Sequence, residues 1–155
     1  MKTSSFFKEG KNNIGWIGLN FQENFGNSSF TIPQELKLES RKLERAMLDK
    51  EILDEFKPEE STLGELAYAI KNDLLVKDGY SNIFYIKDDK GVLWAVRARW
   101  GDVGRAWVVE AYSVEDPVRW ISGRHALSRK FGSRSLGNSE LPDVLEINGV
   151  KYKRI

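Results

Sequence analysis

No cysteine occurs among the 155 residues. A disulfide framework, a thiolate zinc site, an iron–sulfur cluster and a cysteine nucleophile are therefore excluded. Histidine is nearly absent too. The single His125 and the scattered carboxylates show no metal-ligand spacing, so neither a metal nor a cofactor is expected. The chain has no glycine-rich loop carrying the P-loop lysine, no dinucleotide fingerprint and no serine elbow. Long hydrophobic runs are missing as well. About 18 consecutive apolar residues occur nowhere, and MKTSSFFKEGKNN at the start holds no apolar stretch of signal-peptide length. A soluble, cytoplasmic chain with no membrane partner is expected. Asn27-Ser28-Ser29 then reads as a polar turn rather than a glycosylation site.

What is present fits one globular domain over residues 1–155: hydrophobic residues make up 41% and charged residues 30%, outside the range of disordered chains. The net charge of +1 does not by itself indicate a polyanionic partner, but its distribution is uneven. Residues 1–90 carry 13 basic and 16 acidic side chains, whereas residues 91–155 carry 11 and 7.

Three parts follow one another. Residues 1–32 are aromatic and rich in glycine and asparagine; they read as a short strand or a packed arm at an edge, with Phe6, Phe7, Trp16 and Phe21 covering the core. Residues 33–79 read as helical. Leu43, Met47, Leu48, Ile52, Leu53 and Phe56 recur with charges between them from Ser40 to Pro58. The acidic residues among them, Asp49 included, read as a solvated face. A second helix starts at Thr62, whose capping-box spacing to Glu65 satisfies two amide donors, and is expected to stop at Asp78-Gly79.

Residues 80–155 alternate with period two. Asn82–Lys87, Val92–Trp100 and Arg105–Ser113 predict a three-strand meander turned at Asp88–Gly91 and Gly101–Gly104. Placing Asp88 opposite Val92 and Trp100 opposite Arg105 gathers Phe84, Ile86, Trp94, Val96, Ala98, Trp107, Val109 and Ala111 on one apolar face. The other face is mixed: Ile83, Tyr85, Ala95, Arg97, Arg99, Val108, Glu110 and Tyr112. Asp116-Pro117 predicts a short helical turn ending at Gly123, and Asn148-Gly149 predicts a terminal hairpin with Leu145 opposite Tyr152 and Glu146 opposite Lys151. The expected fold is α+β, with two consecutive helices packed on one face of a mainly antiparallel sheet, a three-strand meander plus the C-terminal hairpin.

For function, the compositional anomaly is the stretch from Pro117 to Leu136, which holds Arg119, Arg124, Arg129, Lys130 and Arg134 and no acid. With Trp120 and Phe131 beside them, these cations resemble a phosphate-neutralising and base-stacking surface. The reading they support is a small non-enzymatic binding or accessory protein whose partner is RNA or single-stranded DNA, or else an acidic protein. The alternative for the arginines is pairing with the acidic helix face. A different function class is a toxin-like, metal-independent endoribonuclease. In it Glu110 would take a proton from the ribose 2′-hydroxyl, His125 would protonate the leaving oxygen, and Arg97 and Arg99 would clamp the phosphate. That reading requires Glu110 and His125 to converge.

Overall fold

A computed structural model describes residues 1–132, 144–147 and 150–153. Among the described residues four helices, α1 (Thr3–Phe6), α2 (Leu19–Phe25), α3 (Asp49–Phe56) and α4 (Leu63–Lys71), accompany eight strands. These are β1 (Ile14–Ile17), β2 (Glu39–Lys42), β3 (Asn82–Lys87), β4 (Leu93–Gly101), β5 (Ala106–Ser113), β6 (His125–Ser128), β7 (Val144–Ile147) and β8 (Val150–Lys153). Six of them form one sheet in the order β1-β5-β4-β3-β6-β2, and β7 and β8 form a separate antiparallel pair whose backbone register puts Leu145 opposite Tyr152 and Glu146 opposite Lys151. No helix among the described residues is long and apolar enough to cross a membrane.

The meander β3-β4-β5 forms because β-branched and aromatic residues alternate between two turns that the backbone can close. Asp88 N–H donates to the Val92 carbonyl at 2.9 Å, and Gly91 takes the positive φ of 84° that this turn needs. Phe84 therefore pairs with Val96, and Ile86 with Trp94. In the second hairpin Trp100 lies opposite Trp107 rather than Arg105, because the loop takes in residues 102–105. A two-residue shift preserves the side-chain face, so the apolar set stays together.

Three features differ from expectation. The sheet is mixed, because β1 runs parallel to β5 and β6 runs parallel to β3. The helices are also divided between its faces. Leu66, Ala67 and Ile70 of α4 join Phe84, Val96, Ala98, Trp107 and Val109, together with Phe6, Phe7, Phe21 and Phe25 from the N-terminal segment. Ile52 of α3, with Leu43 and Met47 from the segment before it, packs instead with Ile83, Tyr85, Ala95 and Ala126 on the opposite side. The physical cause is that both faces of β3 are apolar, since Ile83 and Tyr85 are as buried as Phe84 and Ile86, so each face needs its own cover. Finally, residues 39–48 are not helical. Glu39–Lys42 pairs with β6, and Leu43 and Met47 continue the contact through backbone bonds to Arg124 and Trp120. The open edge of β6 supplies backbone partners, which outweighs the helical spacing of Leu43 and Met47.

Smaller corrections concern boundaries. The Thr62–Glu65 capping box is present in both directions, but α4 ends at Lys71. Asp116 accepts from the Val118 N–H at 3.3 Å in a side-chain turn, without a helix. Trp16 is 46% exposed rather than covering the core.

Candidate functional site

The basic stretch does not form one surface. Arg119 pairs with Glu51 at 3.7 Å, and Arg129 pairs with Glu65 at 3.1 Å and Glu59 at 3.4 Å. Two of its arginines are thus neutralised by acids at or near the starts of α3 and α4. Lys130 is exposed beside Arg129 at one end of β6. Arg124 lies at the other end, five extended residues or about 17 Å away. Arg134 lies outside the described residues. Trp120 is half-buried, with its ring edge-on to Tyr112 and its indole N–H given to Asp49 at 2.8 Å.

Glu110 and His125 are not brought together. Strand alternation puts Glu110 on the face of Arg97 and Tyr112, whereas His125 pairs with Asn82 on the face that α4 covers, with β4 and β3 between them. Each has a structural employment. His125 is buried and its Nε2 lies 2.8 Å from Asp78 Oδ2. Burial would raise the Asp78 carboxyl, but the hydrogen bonds to His125 and from the Tyr80 N–H outweigh it and hold it below the usual value.

Glu110 serves the sheet edge. β1 stops at Ile17, which leaves the Ala111 N–H of β5 without a strand partner, and α2 follows Gly18, which has no side chain to cap it. One Glu110 oxygen accepts from both the Ala111 N–H at 2.8 Å and the Phe21 N–H at 3.0 Å. A Cβ on Gly18 would run into this carboxylate, so any larger residue there has to displace the end of the Glu110 side chain. With the Glu110 carboxylate turned to α2, it forms no ion pair with Arg97 despite their cross-strand pairing.

The arginines left over are the informative ones. Arg97 and Arg99 sit on the mixed face, two residues apart along β4, and Arg124 joins that face one residue before β6. None of the three has an ion-pair partner among the described residues. Arg97 Nε is buried with no hydrogen-bond acceptor, while its guanidinium lies 5.4 Å from the centre of the Tyr112 ring. Burial pulls its pKa below the ordinary arginine value; Arg99 and Arg124 pull the same way, and Tyr112 and Glu110 oppose them. Arg124 stacks at 4.6 Å on Tyr80, which is 43% exposed. On the far side Trp16 pairs with Val108 and so stands on the same face as Arg99.

The resulting surface runs from Trp16 across Arg99 and Arg97 to Arg124 and Tyr80. It crosses β1, β5, β4, β3 and β6, four strand spacings or about 19 Å. It holds three cations without an ion-pair partner among the described residues, between two exposed aromatic rings. The sequence indicated Arg97, Arg99 and Arg124, but under two separate readings. Trp16 and Tyr80 were missed, because no local signal reports which end of a sheet stays uncovered.

A second feature lies beside this face. Asp49, the first residue of α3, is 2% exposed and accepts from the Tyr85 hydroxyl at 2.7 Å as well as from Trp120. Burial raises its carboxyl above the usual range, with the two hydrogen bonds opposing. Asp49 is therefore not part of a solvated helix face. A larger groove between α1 and α2 brings in only Lys8 and Glu9 as charged groups.

Comparison with protein-family models, with curated proteins and with solved structures gives no match for this chain.

Proposed function

We propose that the protein is a non-enzymatic binding module for single-stranded nucleic acid, held by Arg97, Arg99 and Arg124 beside the part of the sheet face that α3 covers and flanked by Trp16 and Tyr80. The observation that carries the reading is the buried, acceptor-less Arg97 Nε with two further unpaired arginines beside it. Gathering like charges without ion-pair partners disfavours the folded chain, and a bound row of phosphates lowers that penalty. Exposed aromatic rings at both ends suit unstacked bases, whose faces pack on such rings in any sequence. A duplex presents no such bases. The binding residues therefore differ from the linear basic stretch: Arg124 remains in the set, while Arg119 and Arg129 are occupied by acids. No observation favours the ribonuclease reading, since its acid and base lie on opposite faces.

Fluorescence anisotropy with a labelled single-stranded oligonucleotide tests this reading. Three phosphate contacts give a log-log salt slope of about −2 for a single strand. Arg99→Glu with Arg124→Glu should abolish binding, and Trp16→Ala should weaken it by roughly 5- to 100-fold, the value of one stacked base. Arg129→Glu with Lys130→Glu should change it little. Binding that tracks Arg129 and Lys130 instead, or none at low salt, would overturn the assignment and leave an acidic protein as the partner.

A further inference from the structure

A cavity of about 260 Å³ opens between the start of α3 and the segment after β5, lined by Asp49, Tyr112, Asp116, Arg119 and Trp120. Both hydrogen bonds that Asp49 accepts, from Tyr85 and from Trp120, fall on Oδ1. No group among the described residues donates to Oδ2, and that atom is not sealed from solvent. A carboxylate buried to this degree, lining a cavity and with both of its hydrogen bonds on one oxygen, has acceptor capacity left on the other.

The walls narrow the donor's chemistry. The Tyr112 and Trp120 rings meet at 89° with centroids 5.4 Å apart and form a corner of the kind in which aromatic faces hold cations. Asp116 adds a second carboxylate, held in place by its bond from the Val118 N–H. Arg119 is the one cation on the lining, and it is directed to Glu51. Exposed Val118 also lines the cavity and would cover an alkyl stem. An anion is repelled by two carboxylates. A neutral N–H donor would satisfy Oδ2 but leave both charges uncompensated in a partly dry site.

We propose that this cavity binds an organic cation bearing N–H donors, a primary ammonium or a guanidinium on an alkyl chain, with Asp49 Oδ2 accepting from it. Tyr112 is shared with the arginine face, where Arg97 lies 5.4 Å from its ring centre, but Arg97, Arg99 and Arg124 do not line the cavity, so the arginine variants and the Asp49 variant test the two assignments separately. The cation can come from a free polyamine or from a lysine or arginine side chain of another protein, and the probes distinguish these.

The indole N–H of Trp120 donates to the same carboxylate and is a direct reporter. Its proton–nitrogen resonance, assigned by its loss in Trp120→Phe, should shift on titration with n-butylammonium or agmatine and saturate in the millimolar range or below. Asp49→Asn keeps an oxygen to accept from Tyr85 and Trp120 and should weaken binding at least tenfold; Asp116→Asn, at the half-buried edge, should weaken it several-fold. Putrescine binding more tightly than Nα-acetyl-lysine amide assigns a free polyamine, and the reverse order assigns a protein side chain. Tetramethylammonium, which lacks N–H, and guanosine, which lacks charge, should bind at least tenfold more weakly. No shift with either alkyl cation, affinity unchanged in both Asn variants, or equal binding of tetramethylammonium or guanosine would overturn the proposal.

Discussion

At the scale of single residues, the roles are set by which backbone groups a side chain can reach. Glu110 resembles a catalytic base or a cross-strand ion-pair partner as long as only its strand position is known. Its carboxylate closes two open amides where β1 gives way to α2. Gly18→Ala should therefore displace that carboxylate and cost about 1–3 kcal/mol in urea melts, the range for buried donors left unsatisfied. In a Glu110→Ala background, which has already lost both bonds, the same substitution should cost almost nothing. Equal costs in the two backgrounds would show that the glycine serves another purpose. Asp49 shows the opposite error. Among seven acidic residues between Glu35 and Glu55 its letter is unremarkable, yet it is the one drawn under Tyr85 and Trp120. The tyrosine is 36 positions away and the tryptophan 71, so no window along the chain could report it.

At the scale of elements, local signals are legible where hydrogen bonds are local. The Thr62–Glu65 box starts α4, and the Asp88–Gly91 turn sets the β3–β4 register, because both depend on residues at most four apart. The division of the helices is not of that kind. Both α3 and α4 carry an apolar stripe, and a stripe does not state which face of the sheet it will cover. Ile52 of α3 and Leu66 of α4 are both fully buried, each against a different face. Truncation of either to Ala should cost about 2–5 kcal/mol. Because the sheet separates them, the double variant should lose the sum to within about 0.5 kcal/mol. A coupling above about 1 kcal/mol would place the helices on one face after all. Residues 39–42 illustrate the limit of periodicity, since a strand of Glu, Ser, Arg and Lys has no apolar alternation and is a strand only because β6 stands beside it.

At the scale of the whole molecule, the N-terminal segment belongs to the core. Phe6, Phe7, Ile14, Ile17, Phe21 and Phe25 are all at most 6% exposed, and they cover the face of Val109 and Ala111 that α4 does not reach alone. Six such side chains contribute roughly 9–18 kcal/mol at about 1.5–3 kcal/mol each, as much as the whole stability of a typical domain. Deleting residues 1–26 should therefore abolish the cooperative thermal transition. A truncated chain that still melted sharply would make the segment an accessory arm.

The sequence by itself determined the α+β class, the meander with its face assignment, the capped helix at Thr62, and the exclusion of thiol chemistry. Each rests on composition or on neighbours along the chain. Only the tertiary structure decided the sheet order, the parallel pairings of β1 and β6, the separation of α3 from α4, and which arginines stay unpaired. Those outcomes depend on which buried face or open edge each segment meets, and such encounters join residues far apart in sequence. The linear run of cations therefore pointed to a basic surface. The acids at α3 and α4 pair with Arg119 and Arg129, whereas Arg97, Arg99 and Arg124 have no ion-pair partner among the described residues.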